Sequence, residues 1–250
     1  EKELFPGPQN PIGPRELNGY RELFKDVQRE KAVGEASTFY LFSPKAPLRI
    51  REYLPDAKFI AIFRNPVDRA YSHFLTNRLA GTEPIADLEE AMAAEEERIQ
   101  KGWFLFWCYR GMGFYGRQIE RYFSHFDRRQ FLFFLFEDLI ADPAFIFSAI
   151  FRFLGVDETV RIRLPEKYNP SGVPRIRLVH DFLNKRILPE KTQYNLLTKF
   201  MNRNLAKPPL HPDIRRRILA IYREDILKTQ DLIQRDLSSW LSLESAENRS

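Results

Sequence analysis

Three short apolar runs, each followed by a polar break and then a helical pattern, organise the first part of the chain. The runs are "KAVGEAS" (31–37), "KFIAIFR" (58–64) and "QFLFFLFEDL" (130–139), all of strand length. Behind them come Ser43-Pro44, Asn65-Pro66 and Asp142-Pro143, leading into "KAPLRIREYL", "VDRAYSHFLTNRLA" and "AFIFSAIFRFL". These helical patterns stop at Pro55, Gly81 and Gly155. A Ser, Asn or Asp at the N-cap offers an oxygen to an otherwise orphaned backbone N–H, and proline at the first helical position has no N–H to waste. Apolar strands alternating with capped helices predict an α/β fold, a mainly parallel central sheet flanked by helices.

The rest of the pattern is mostly helical. Residues 1–30 read as an irregular lead-in with a short helix near 14–26. "WFLFWCYRGMGFYGRQIERYFSHF" (103–126) reads as a loop feeding an amphipathic helix from about 112. The acidic stretch 83–100 suits an exposed helix with Leu88, Met92 and Ile99 toward its buried side. "HPDIRRRILAIYREDILKTQDLIQRDL" (211–237) is the clearest helix of the C-terminal third. The expectation is one domain over 1–250, with its α/β core at 31–156 and a loop followed by helices over 157–250.

Composition narrows the class. With 44% apolar and 14% aromatic residues, the 250-residue chain can bury a sizeable core. One cysteine, Cys108, excludes an internal disulfide framework and fits a reducing, cytoplasmic compartment. That cysteine and four scattered histidines show no metal-ligand spacing, so no metal is expected. No apolar run approaches the roughly 20 residues that span a bilayer. The net charge of +5 is unevenly spread, because residues 175–235 hold 14 Lys/Arg against 6 Asp/Glu. An anionic ligand or partner would explain that excess, and so would solvated helix faces. The basic residues form no nucleic-acid-binding motif.

In open α/β sheets, ligands bind beyond the carboxyl ends of the strands. That rule selects Glu35, Arg64 and the pair Glu137-Asp138. Arg64 stands beside the start of the helix that follows its strand, where backbone N–H groups and the macrodipole favour an anion. Arg64, that helix start and the Ser72 hydroxyl would together make a phosphate site. On the residues alone, pairing of Arg64 with a carboxylate such as Asp68, with Ser72 an ordinary helix residue, is an equal alternative.

"FRNPVDRAYSHF" (63–74) closely resembles the 3′-phosphate-binding segment of sulfotransferases that use 3′-phosphoadenosine 5′-phosphosulfate (PAPS). The matching positions are Arg64, Asn65, Pro66, Arg69 and Ser72. "VGEASTFYLFSPKAPLRIREYLPDAKFIAIFRNP" is similar to bacterial and glycosaminoglycan-type members. "FLFFLFEDLIADPAFIFSAIFRFLGV" resembles their Glu-Asp-Leu strand and packing helix, and "YNPSGVPRIR" (168–177) stands where a late loop closes over the nucleotide.

The resemblance implies a P-loop nucleotide-kinase-like sulfotransferase fold. It implies PAPS as donor and PAP (3′-phosphoadenosine 5′-phosphate) as product. Arg64 and Ser72 would hold the 3′-phosphate, Glu35 would be the general base, and Ser171, Gly172 and Arg175 would reach the phosphate-rich end. His73 has the lesser expectation of a packing or hydrogen-bonding role. Glu137 and Asp138 are expected to fix the strand end by hydrogen bonds.

One departure matters. The family opens with a strand and a Lys-x-Gly-Thr-Thr-like loop that grips the 5′-phosphosulfate, and this sequence has no such segment. The family order puts it before Glu1, and the expectation is that the loop is encoded upstream. The acceptor is expected to be an alcohol of a lipid-like, polyketide or carbohydrate molecule, with "GWFLFWCYRGMGFYG" (102–116) lining its pocket. An acidic carrier protein presenting the hydroxyl would suit the basic C-terminal surface. A non-catalytic PAP-binding module is the alternative reading, and a nucleotide kinase-like phosphotransferase is a third.

Overall fold

The computed structural model describes residues 17–160, 162, 173–174 and 205–243. Its elements in chain order are α1 (Leu17–Glu22), α2 (Thr38–Phe42), α3 (Ala46–Tyr53), β1 (Phe59–Phe63), α4 (Pro66–Leu79), α5 (Leu88–Ala93) and α6 (Glu95–Gln100). After them come α7 (Tyr115–Phe123), β2 (Phe131–Leu135), α8 (Phe136–Ala141), α9 (Pro143–Leu154), β3 (Val173–Pro174), β4 (Leu205–Ala206) and α10 (Pro212–Ile233). The architecture is α/β, as the sequence pattern predicts, and β1 and β2 pair in parallel from Phe59↔Phe131 to Phe63↔Leu135.

Side-chain alternation divides the two faces of this pair. Phe59 and Phe63 turn toward α7, where Phe59 meets Tyr122 and Phe126 edge-on at 5.3 and 4.6 Å and Phe63 meets Tyr115 at 4.8 Å. Across the ladder Phe59 stacks on Phe131 at 4.7 Å. The core continues through α4 and α10, where Val67, Ala70, Phe74, Leu75, Ile218, Tyr222 and Ile226 are all buried. Each such large apolar side chain contributes about 1.5–3 kcal/mol. On the opposite face, Ile60 and Ile62 remain 38% and 42% exposed.

Two of the three caps form as expected. Asn65 accepts from the Val67 N–H at 2.9 Å with Pro66 at the first helical position, and Asp142 accepts from the Phe145 N–H at 2.9 Å with Pro143 behind it. Gly155 closes α9 in the left-handed region, φ 76°, and Gly81 follows α4 at φ 71°. The first unit differs. Ser43 ends α2, and α3 starts three residues later at Ala46, behind Lys45 and without a side-chain cap.

Three further expectations are corrected. Residues 32–37 form no strand, although Ser37 has extended dihedrals, because they have no ladder partner among the described residues. The third strand stops at Leu135, so Glu137 and Asp138 open α8. The acidic stretch is two helices, with Leu88 and Met92 buried at 3% and 4%, while Ile99 is 47% exposed. Ala94 bends the chain between α5 and α6 and rotates Ile99 off the buried side.

Candidate functional site

Arg64 leaves the carboxyl end of β1 half-buried, its guanidinium 4.9 Å from the centre of the Phe136 ring at the end of β2. Its carbonyl oxygen accepts from the buried Tyr115 hydroxyl at 3.1 Å, which fixes the backbone where strand turns to helix. Burial pulls this guanidinium below its ordinary pKa, and Asp68 acts in the opposite direction. A partly desolvated arginine exerts a stronger field on an anion than one in bulk water.

The helix start beside it is not a row of open donors. The Asn65 carboxamide accepts from the Val67 N–H at 2.9 Å and the Asp68 N–H at 3.4 Å, and Pro66 has no N–H. The same amide donates to the Trp240 carbonyl at 3.0 Å, tying the cap to the C-terminal segment. The macrodipole and nearby cations remain as the attraction for an anion.

Those cations come from far along the chain. Asp68 is ion-paired with Arg215 of α10, and both are buried. The Nη1 atom of Arg215 is buried with no hydrogen-bond partner. Lys207, just after β4, lies over the Tyr71 ring at 5.9 Å, and Tyr71 donates to the Pro208 carbonyl at 2.9 Å. Its pKa is lowered to about 8, first by burial and then by Arg64, with Arg215 adding to the repulsion and Asp68 opposing it. Arg64, Lys207 and Arg215 thus share one neighbourhood with Asp68, and Glu137 also acts on Arg64. Ser72 follows Asp68 by one turn and so shares its side of α4.

Sequence reasoning missed Lys207 and Arg215. Only the basic excess of the C-terminal third pointed toward them, and it did not say which of its cations turn inward.

The other expected positions are distributed differently. Glu35 is exposed, and its carboxylate accepts from the Tyr20 hydroxyl at 3.2 Å and is hydrogen-bonded to Tyr40. Both tyrosines have raised pKa values, through burial first and this carboxylate second. Ser171, Gly172 and Arg175 lie outside the described residues. Between them, the Val173–Pro174 backbone pairs antiparallel with Leu205–Ala206 beside α4.

His73 packs edge-on against Tyr109 at 5.1 Å and Phe106 at 6.3 Å. Burial, then Arg69, lowers its pKa to about 4. Asp138 accepts from the Leu135 N–H at 2.9 Å and holds Arg235 through two contacts, whereas Glu137 accepts from the Trp240 indole at 3.2 Å. The second Glu137 oxygen, Oε2, is buried without a partner. Cys108 is buried and its thiol pushed up to about 12, which makes it unreactive at neutral pH.

The residues fit a phosphate group. Arg64, Lys207 and Arg215 gather at the carboxyl edge of a parallel strand pair, and one guanidinium nitrogen of Arg215 is buried without a partner. No helix among the described residues is long and apolar enough to cross a membrane.

A family model described as the sulfotransferase domain matches residues 26–168, a span that holds Glu35, Arg64 and Ser72. The chain is 33% identical over 140 residues to bifunctional heparan sulfate N-deacetylase/N-sulfotransferase 1 of Xenopus tropicalis, covering 55% of this chain and 16% of that protein. It is 30% identical over 146 residues to heparan sulfate glucosamine 3-O-sulfotransferase 3B1 of Homo sapiens, covering 58% of this chain and 36% of the relative. It therefore spans about a sixth and about a third of the lengths of these two relatives. A crystal structure of a sulfotransferase from Alicyclobacillus acidocaldarius matches with TM-score 0.70 and 30% identity, over 94% of this chain and 82% of that one. From the Arg64 strand end to the fold around it, the chain belongs to the sulfotransferase domain family.

Proposed function

We propose that the protein transfers a sulfuryl group from PAPS to an alcohol, with Glu35 as general base. The observation that carries this reading is the clustering of Lys207 and Arg215 with Arg64 around the α4 turn that bears Ser72. A 3′-phosphate is the feature that separates PAPS from common adenine nucleotides, and a cluster of three cations suits such an anion.

Bound PAPS would supply a sulfuryl group whose bond to the 5′-phosphate oxygen breaks, with the electron pair leaving on that oxygen, as the acceptor oxygen bonds to sulfur. The residues of this chain do the rest. Arg64, Lys207 and Arg215 neutralise the 3′-phosphate, and Ser72 donates to it. Asp68 holds Arg215 in place and keeps the cluster from repelling itself apart. Glu35 takes the proton of the acceptor hydroxyl, and Tyr20 and Tyr40 orient its carboxylate for that transfer. Positioning and charge stabilisation supply most of such a barrier reduction, with the base adding about 10²–10⁴-fold.

Calorimetric titration with PAP, together with transfer of radiolabelled sulfate from PAPS, tests the reading. Binding with transfer supports it. PAP binding without transfer to any alcohol would favour a non-catalytic nucleotide module, and absence of PAP binding would remove the donor assignment.

A further inference from the structure

Phe39, Phe104 and Phe106 form a triangle of rings with centroids 5.4, 5.4 and 5.1 Å apart. All three are only half-buried, as are Trp103 and Trp107 beside them, whose rings meet at 5.1 Å. The platform is also fixed. The buried Asn77 amide donates to the Phe106 carbonyl at 2.7 Å, Trp107 donates from its indole to the Thr82 carbonyl at 3.1 Å, and Trp103 packs on the Arg98 guanidinium at 5.0 Å.

Position gives the platform its meaning. Phe39 is on α2, four residues after Glu35, and Phe106 touches His73, the residue after Ser72. The rings therefore join α2, which follows the candidate base, to α4, which carries Ser72. Charge narrows what can approach. α6 lies against the Leu105–Trp107 turn and exposes Glu96 and Glu97, while Glu90 is exposed on α5. On and just after α6, Arg98 is engaged with buried Glu83 at 2.7 Å and Lys101 with Glu97. A polyanionic glycan would be repelled by such an approach, whereas a neutral ring would gain by stacking.

We propose that Phe39, Phe104 and Phe106 are the acceptor platform, and that the acceptor is an uncharged alcohol carrying a flat or apolar ring. This rests on the sulfotransferase reading for its catalytic meaning but not for its binding test. The test titrates the full chain, saturated with PAP, with 2-naphthol and separately with a heparan sulfate octasaccharide, by isothermal calorimetry. The expected result is saturable binding of 2-naphthol, weakened about 10-fold in Phe104→Ala and in Phe106→Ala. In both variants PAP affinity should stay within about twofold, because the sites share no partner. Phe106→Leu, which keeps apolar volume, should bind with intermediate affinity and guards against misfolding as the cause. Tighter binding of the octasaccharide, or 2-naphthol binding indifferent to both alanine variants, overturns the proposal while leaving PAP binding, and so the donor assignment, intact.

Discussion

Asp68 on α4 is ion-paired with Arg215 on α10 across 147 positions of sequence, with both side chains buried. This contact brings the C-terminal helix onto the helix that carries the candidate phosphate site. It couples the fold of the last part of the chain to the geometry of the first.

Breaking that pair should be costly. Asp68→Asn leaves Arg215 buried without its counter-charge, and Arg215→Met leaves Asp68 alone. Each is expected to lose about 3–5 kcal/mol of stability in urea unfolding, whereas the double variant should recover part of the loss. Equal, additive losses would show that the two residues act independently.

Lys207 gives the donor site a pH dependence. Its pKa of about 8 in the free protein means that it is charged below pH 8 and loses its proton above it. An anion binds the charged form, so PAP affinity should be level from pH 7 to 8 and fall by up to about 10-fold per pH unit above that. Lys207→Arg keeps the charge and should flatten the profile. A wild-type affinity constant up to pH 10 would remove Lys207 from the site.

His73 should leave its mark on stability rather than on turnover. Its folded pKa, about 4, lies below the ordinary histidine value, so the unfolded chain binds more protons between pH 6.5 and 4. Stability must therefore fall as pH drops through that window, by about 1.5 kcal/mol between pH 6.5 and 5. Thermal unfolding of His73→Gln across those pH values should lack this component. A rate profile with a basic group near 6.5 that vanishes in the variant would make His73 catalytic instead.

Gly113 should tolerate no side chain. A Cβ there would come within 2.6–2.9 Å of the Tyr222 ring and hydroxyl, and Tyr222 is fully buried with its hydroxyl donating to the Arg110 carbonyl at 2.9 Å. Gly113→Ala should cost about 1–3 kcal/mol in chemical denaturation. A smaller Tyr222→Phe loss, close to about 1 kcal/mol, would separate the clash from the hydrogen bond.

Much of this fold was legible where local chemistry decides. Asn65-Pro66 and Asp142-Pro143 marked their helices because the cap and the missing proline N–H act within a few residues. β1 and β2 announced themselves as apolar runs bounded by turns. The pattern at 31–37 is equally strand-like, but a strand needs a neighbour, and its own residues cannot declare one. Glu137 and Asp138 directly follow the apolar run 131–136 and so extend its strand pattern, yet the Asp138 carboxylate reaches back to the Leu135 N–H and turns the chain helical.

The candidate site divides in the same way. Arg64 and Ser72 sit on one local motif, which is what makes them candidates from sequence. Lys207 and Arg215 reach the site through tertiary packing, and "RRR" at 215–217 reads as a solvated stripe until α10 turns Arg215 inward and leaves Arg216 and Arg217 outside.

The base can be examined separately from the donor. Glu35→Gln should lower kcat by about 10²–10⁴-fold while leaving PAP affinity unchanged, because its carboxylate is held by Tyr20 and Tyr40 rather than by the phosphate cluster. Near-native turnover in that variant would require another base.

The most direct measurement compares PAP with adenosine 5′-phosphate, which lacks only the 3′-phosphate, by calorimetry on wild type and Arg64→Ala. If Arg64, Ser72, Lys207 and Arg215 hold that phosphate, PAP should bind wild type at least about 30-fold more tightly, and Arg64→Ala should erase most of the difference. Equal affinities in wild type, or a preference for PAP that survives Arg64→Ala undiminished, would contradict the account.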